Sequence, residues 1–585
     1  MVDYTISDIY QGGYSSLSPQ YGSVFTNYRV NPATFGMTTD PRTANILKDA
    51  STKFNTGAKH IEITGINITG GTPGELIESI PNEQLKEVNR LSKLVGATVS
   101  LHGPLLEPSG INREGFSESN RQAIERQMIS AVGRGHLLDP TGNIPVTFHS
   151  SANLPDEIPE RGKQPDGVLV INPENGKYGT IPLKERTFPG DEKKKDAKTE
   201  IERYNSEQWM ESLDQLGQRI RIVGDELSKP TVAAVLADAE KKAGRDLTED
   251  EEAVQKAFYR GATYLNSSYT DLKQLFETAQ KNSSDVERGK INEFYNNIKG
   301  KAEKIKENPK DIKSTLLMKE IIDEGVNVLK EVHPRLIVDL NEFARSKTAE
   351  TISNVAFNSY KEFKNTAPII SIENPPAGGA FGRGEDLKKI VEESRQKFIE
   401  KAMNEGISEA TARKEAEKLI GITWDVGHIN MIKKYGYENA DVIKETEKVA
   451  PFVKHIHLSD NFGMEHTELP MGMGNVPMGE ILKKLGKEGF DAKKIIEAGN
   501  WWQHFQTPPF KETLEAFGSP IYSMQMAPYW NQNLGLQQGY YSGYGQMLPQ
   551  TNYETFGAGF SHLPGELGGQ RAGGEGSRMS GRGME

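Results

Sequence analysis

Four short apolar runs, each ending in a side chain able to bind a metal, constrain this chain more than anything else in it. They read IISIENPP (369–376), GITWDVGHIN (421–430), VKHIHLSD (453–460) and KIIEAGN (494–500). The side chains in question are Glu373, Asp425 with His428, His457, and Glu497. A helix-forming segment separates each run from the next, so the rhythm is strand, ligand, helix, repeated. A parallel β/α barrel has this rhythm and places its functional groups at the C-terminal ends of the strands. Oxygen and imidazole donors arriving from several strands suit a hard or borderline divalent cation.

The same rhythm runs upstream. Strands are expected at 33–38, 59–64, 97–104 and 144–151, the last two ending in His102 and His149. Helices are expected over 41–54, 82–96 and 117–135. The second carries Leu85, Val88, Leu91, Leu94 and Val95 at the spacing of one buried face, and Ser117 or Ser119 caps the third. From 152 to 347 the alternation stops, which marks an insertion. A hairpin over 167–183 turns around Asn175 and Gly176. Charged helices then fill 206–344, with breaks near Pro230, Pro309 and Pro334, their charge being the solvated side of packed helical hairpins. Helix 348–365 resumes the barrel, and segments 385–419, 437–451, 477–489 and 508–518 supply the later helices.

The fold expected is therefore α/β: a (β/α)8 TIM barrel with a large, mainly helical insertion after strand four. The barrel occupies 33–151 and 348–518. Residues 1–32 form an irregular arm, and 519–585 a Gly-, Tyr- and Gln-rich, partly disordered tail. A barrel needs about 250 residues, so roughly half of the 585 lie outside it. The net charge of −11 gives no general basic footprint for nucleic acid. The absence of cysteine leaves His, Asp and Glu to hold any metal. The first residues lack the basic and apolar regions of a signal peptide, and no apolar run reaches the ~20 residues that span a bilayer. A cytoplasmic protein without membrane contact is the expectation.

Singly, these residues have dull explanations: a histidine closing a strand is commonly a buried, hydrogen-bonded one, and Glu373 before Asn-Pro-Pro could cap a loop. The set is the argument. His102, His149, Glu373, Asp425, His457 and Glu497 close six different strands, whose bodies are read as apolar, on one face of the barrel. Carboxylates gathered there without a cation would repel one another. Asp425 and His428, three apart, face one pocket from one loop. Glu465, His466 and Glu468 lie on the loop after His457, ahead of Gly472 and Gly474. His455 shares the facing of His457 but starts deeper, in a supporting or structural place. His136, His333, His504 and His562 carry no function in this reading.

Segments 97–151 and 369–500 resemble the xylose isomerase-like barrel superfamily, and particularly its endonuclease IV branch (AP endonuclease family 2). The pieces that carry the resemblance are SLHGP, TFHSS, IENPPAGGAFGRGEDL, ITWDVGHIN, VKHIHLSD, MGMGNV and IIEAGN, in that order. With the first two strands it spans about 33–150 and 346–518. In that branch nine ligands hold three zinc ions that cleave a phosphodiester beside an abasic site in DNA. The resemblance implies that His102, His149 and Glu373 hold one metal, and that Glu373 bridges to a second shared with Asp425, His457 and Glu497. His428 belongs to a third, with His466 and Glu468, although the family has an Asp and a His in the opposite order there. Glu373 and His428 are the residues singled out for catalysis. The sugar isomerases and epimerases of the superfamily keep only the Glu, Asp, His, Glu set and use it to polarise a sugar's carbonyl and hydroxyl.

Three readings follow. The first is a phosphodiester hydrolase of the endonuclease IV kind, with two or three Zn2+ (Mn2+ as the alternative) and abasic DNA as partner. The second is a single-metal isomerase or epimerase of a sugar or sugar phosphate. The third is a barrel with a vestigial site, whose insertion and tail serve assembly or partner binding.

Overall fold

The computed structural model describes residues 34–517, apart from 41–42, 44, 66–76, 153, 155–157, 164, 184–195, 243–247, 309–311, 500, 502–504 and 506–507. The expected arm, the tail, His504, His562 and the break at Pro309 lie outside the described residues. The chain divides into two compact units, one of 1–165 with 344–585 and one of Asp166–Phe343.

In the first unit eight parallel strands close a barrel. In sequence order they are Phe35–Thr38, His60–Thr64, Thr98–His102, Pro145–His149, Ile369–Glu373, Ile420–Asp425, Val453–Leu458 and Lys493–Ile496. Each pairs with its sequence neighbours, and the first closes on the eighth with Met37 opposite Ile496. This is the TIM barrel that the strand–ligand–helix rhythm predicts. The strand bodies differ from expectation, because they are not uniformly apolar. Alternate residues such as Ile61, Ile63, Val99, Leu101, Ile370, Ile372, Ile422 and Ile456 are buried. The residues between them, Glu62, Ser100, Thr147, Ser371, Thr423 and His455, are equally buried and bond to one another across strands. A closed barrel buries both faces of every strand, so the polar alternates have no water to face and fill the lumen instead.

Two helix boundaries shift. The first barrel helix is Ile46–Asn55, starting later than Pro41 because Asn45 supplies the cap, its side chain accepting from the Lys48 amide. The helix that resumes the barrel begins earlier than expected, at Leu340, and runs to Phe363. No helix among the described residues is long and apolar enough to cross a membrane.

The second unit is a small sheet with helices. Gly167–Ile171 pairs antiparallel with Tyr178–Pro182 as the expected hairpin, and also with the two-residue strand Val338–Asp339. The turn is wider than Asn175 and Gly176 alone. Asn172 organises it, its side chain accepting from the Glu174 and Asn175 amides, while Gly176 takes a positive φ of 71°. The helices are Ala197–Lys242, Glu249–Asn282, Asp285–Glu307 and Ile312–Leu329. The break expected at Pro230 does not occur: proline removes one amide bond, which ends a short helix but is absorbed by one of 46 residues.

Candidate metal centre

The site is built where strands end. Glu373 and His149 are register partners on adjacent strands, as are Asp425 and His457. The end of strand five is locked to that of strand six by Asn374, whose side chain donates to the Asp425 carbonyl and accepts from the Asp425 amide, both at 2.9 Å. Asp425 then caps the short helix Val426–Asn430 by accepting from the His428 amide at 2.7 Å. Gly427 is required there, since a Cβ would sit 2.1 Å from Ser459 Oγ. The loop after strand seven is pinned by buried Asp460, which accepts from the amides of Gly472 and Val476.

These supports bring two ligand sets together. One donor atom each from His102, His149 and Glu373 lie within 4.8 Å of one another, and so do those of Glu373, Asp425, His457 and Glu497. Glu373 is common to both. Its Oε2 stands 3.0 Å from His102 Nε2 and 3.3 Å from His149 Nε2, while its Oε1 stands 2.9 Å from His457 Nδ1. Glu497 Oε1 is 3.2 Å from that same His457 Nδ1. Beside them, His428 Nε2 meets His466 Nε2 at 2.8 Å, and His466 Nε2 lies 3.8 Å from Glu468 Oε1. Glu465 is exposed. His136 bonds to Thr366, and His333 pairs with Glu287.

Proton bookkeeping shows that this donor set fits cations. His102 Nδ1 lies 2.9 Å from the Gly103 carbonyl, which can only accept, so Nδ1 carries the hydrogen. Nε2 then turns a lone pair toward the Glu373 carboxylate, a repulsive contact unless the ring is protonated or a cation lies between. The same holds at His428, where Nδ1 donates to the Asn374 carbonyl at 2.7 Å and leaves Nε2 with only a lone pair. Asp425 Oδ2 is buried without a hydrogen bond among the described residues. Without cations the charges polarise strongly. Burial opposes ionisation of Glu373, but the neighbouring His457 and His149, with hydrogen bonds from His102 and His149, hold its carboxyl well below the usual range. Burial, together with Glu373, Asp425 and Glu468, pushes Glu497 well above it, although His457 pulls the other way. His457 is raised well above its ordinary value despite burial, by Glu497, Glu373 and Glu62. Burial lowers His428 to about 4. A divalent ion would replace this crowding with attraction.

The residue missed from sequence is Glu62. It is fully buried in the lumen beneath the cluster, 3.0 Å from His457 Nε2 and 3.1 Å from His455 Nε2. Its signal was present: His60 and Glu62 alternate with Ile61 and Ile63 in a strand that the barrel buries on both faces.

Fold and sequence comparison together define the class: a TIM barrel whose residues 404–517, containing Asp425, His428, His457 and Glu497, match the family described as xylose isomerase-like TIM barrel. An uncharacterised protein of Methanocaldococcus jannaschii, MJ1311, is 32% identical over 83 residues, which is 14% of this chain and 27% of that protein's length. A D-tagatose 3-epimerase-like protein of known structure aligns at 14% identity over 83% of this chain and 96% of its own, with a TM-score of 0.35. A D-psicose 3-epimerase from Clostridium cellulolyticum H10, solved with D-tagatose, aligns at 8% identity over 84% and 97%, with a TM-score of 0.37. Likeness at that level says nothing about substrate.

Proposed function

We propose that this chain is a metal-dependent enzyme that hydrolyses phosphate esters, with an abasic-site DNA duplex as the substrate to test first. The observation that carries the reading is the second ligand set. A single-metal sugar enzyme needs only Glu373, Asp425, His457 and Glu497, whereas here His102 and His149 converge on the other oxygen of Glu373. With each oxygen of Glu373 facing its own imidazoles, the carboxylate could help to hold a cation on either side. Such a pair, when bound, supplies charge neutralisation for a phosphate and a hydroxide near neutral pH. The chain's own residues do the rest. Glu373 and Asp425 set their carboxyl groups in a buried pocket, and His428 Nε2 and His466 Nε2 meet beside them at 2.8 Å, where they could hold a further cation. Neither zinc nor manganese is singled out by this donor set, though imidazole-rich coordination favours zinc.

A second reading is a sugar isomerase or epimerase. One feature of the site favours it independently. Glu373, Asp425, His457 and Glu497 bring one donor atom each within 4.8 Å of one another, a four-ligand set sufficient for one cation without His102 and His149. Metal content per chain, measured with two assays on the same preparation, separates the readings. Two or three equivalents with cleavage of the abasic duplex are expected. One equivalent with interconversion of ketohexoses and no cleavage would establish the second reading instead.

A further inference from the structure

We infer that Glu62, on the second barrel strand, is a positioning residue that fixes which nitrogen of His457 faces the metal pocket. The inference rests on the metal-enzyme reading above. His457 is fully buried and has one ring nitrogen on each side of a boundary. Nδ1 faces Glu373 Oε1 and Glu497 Oε1 at 2.9 and 3.2 Å, the side where a cation would bind. Nε2 faces Glu62 Oε1 at 3.0 Å, off the line of a well-directed hydrogen bond, and among the described residues neither atom has another hydrogen-bond partner. A carboxylate can only accept from an imidazole, so each ring nitrogen has an acceptor beside it; a cation held with Glu373 and Glu497 would take the Nδ1 lone pair, and Glu62 would then be the acceptor that keeps the hydrogen on Nε2.

Glu62 is itself held from several sides. Its Oε2 accepts from Ser100 Oγ at 2.8 Å and lies 3.1 Å from His455 Nε2. Ser100 in turn contacts His60 Nε2 at 3.1 Å, and His60 Nδ1 reaches Thr98 Oγ1 at 2.7 Å. The chain of contacts therefore runs from the lower barrel to one metal ligand through a single carboxylate. One donor atom each from Glu62, His455 and His457 also lie within 4.8 Å of one another, which would suit a separate deep cation. That assignment would require His457 to give up both nitrogens, so the positioning role is the more economical chemistry. Metal-bound histidines characteristically donate their other N–H to a carboxylate or carbonyl, and loss of that partner costs about 10–100-fold in affinity.

The test is Glu62→Gln, with zinc affinity measured by chelator competition and the cobalt-substituted protein examined by absorption spectroscopy. An amide can donate to Nε2 and so reverse the tautomer. The expected result is roughly 10–100-fold weaker binding of one equivalent, with the cobalt spectrum of that equivalent changed and the others retained at wild-type affinity. Unchanged affinity and spectrum for every equivalent would overturn the inference. So would complete loss of one equivalent with the rest intact, which would make Glu62 a ligand in its own right. A wild-type protein that binds no divalent metal would bring down the functional reading as well, whereas a loaded wild type with an indifferent variant sinks this inference alone. Should Glu62→Gln fail to fold, Ser100→Ala keeps the carboxylate and removes one of its supports. A smaller loss, several-fold in the affinity of the same equivalent, is expected, and no loss would overturn the assignment.

Discussion

Inside the helical unit the packing is hydrocarbon: Trp209, Leu213, Leu272, Phe276, Ile321 and Ile322 form one buried cluster. Inside the barrel, the corresponding space holds Glu62, Ser100, Thr147, Ser371, Thr423 and His455, and the hydrocarbon lies instead on the outer strand faces. An apolar interior tolerates swaps of similar volume, because dispersion and burial are not directional. A hydrogen-bonded lumen does not, since each donor needs its own acceptor and a half-satisfied network is worse than none. The barrel interior therefore specifies strand register and aims side chains, whereas the helical interior specifies only that the helices cohere.

If this contrast is right, the largest effect comes from the one residue both ligand sets share. Glu373→Gln is expected to lower turnover by more than about 100-fold, since even an outer partner of a ligand costs 10–100-fold, while circular dichroism stays that of the wild type. Normal turnover with full metal content would remove Glu373 from the site. Next comes replacement of both His102 and His149 by Ala, which should lower bound metal by about one equivalent and leave the Glu373, Asp425, His457 and Glu497 set loaded, four ligands being enough for a complete site. Unchanged metal with a lowered melting temperature, about 1–3 kcal/mol for each lost hydrogen-bonding group, would make the two histidines packing residues.

The helical unit supplies the converse. Leu272→Ala should destabilise that unit by about 2–5 kcal/mol through the cavity it leaves, with metal content untouched, as differential scanning calorimetry beside metal analysis would show. A loss of bound metal would mean that the two interiors are coupled. The smallest effect is on pH dependence. Burial holds His60 well below its ordinary value, with His455 adding to the shift against Glu62. The folded state then binds fewer protons than the unfolded one below the unfolded pKa of about 6.5. Stability from this group is full above that pH and falls as the solution is acidified, by at most about 1.4 kcal/mol per pH unit. Urea midpoints at pH 7.5 and 5.5 should diverge in the wild type and converge in His60→Asn; parallel shifts would assign the acid sensitivity elsewhere.

The sequence made the barrel legible because a strand end that carries a ligand breaks an apolar run visibly. Glu373 after ISI and Asp425 after ITW stand out in this way. Glu62 stayed hidden because the alternation in HIEIT is also what a strand with one wet face would show, and only closure of the barrel excludes water from that side. The strand Val338–Asp339 was not readable at all, since two residues carry no periodicity. Pro230 misled for the opposite reason: local propensity argued for a break that the length of the helix overrode. The meeting of His428 with His466 was expected only through the family resemblance, since the contact depends on how Asp460 folds the intervening loop, a tertiary fact with no local signature.

The pairing of Ile171 with Val338 has a consequence for how the chain assembles during synthesis. Glu373 emerges 224 residues after its register partner His149, which at ~5–20 residues per second is a delay of roughly 10–45 s. Without help, the fifth strand would then have to find the fourth across a very long, floppy tether, and the closure entropy grows with its length. By stitching its first strand to its last, the helical unit shortens that tether to residues 150–166 on one side and 340–368 on the other. The late half of the barrel is thus delivered to the early half already reeled in, as if the chain between them were a short loop.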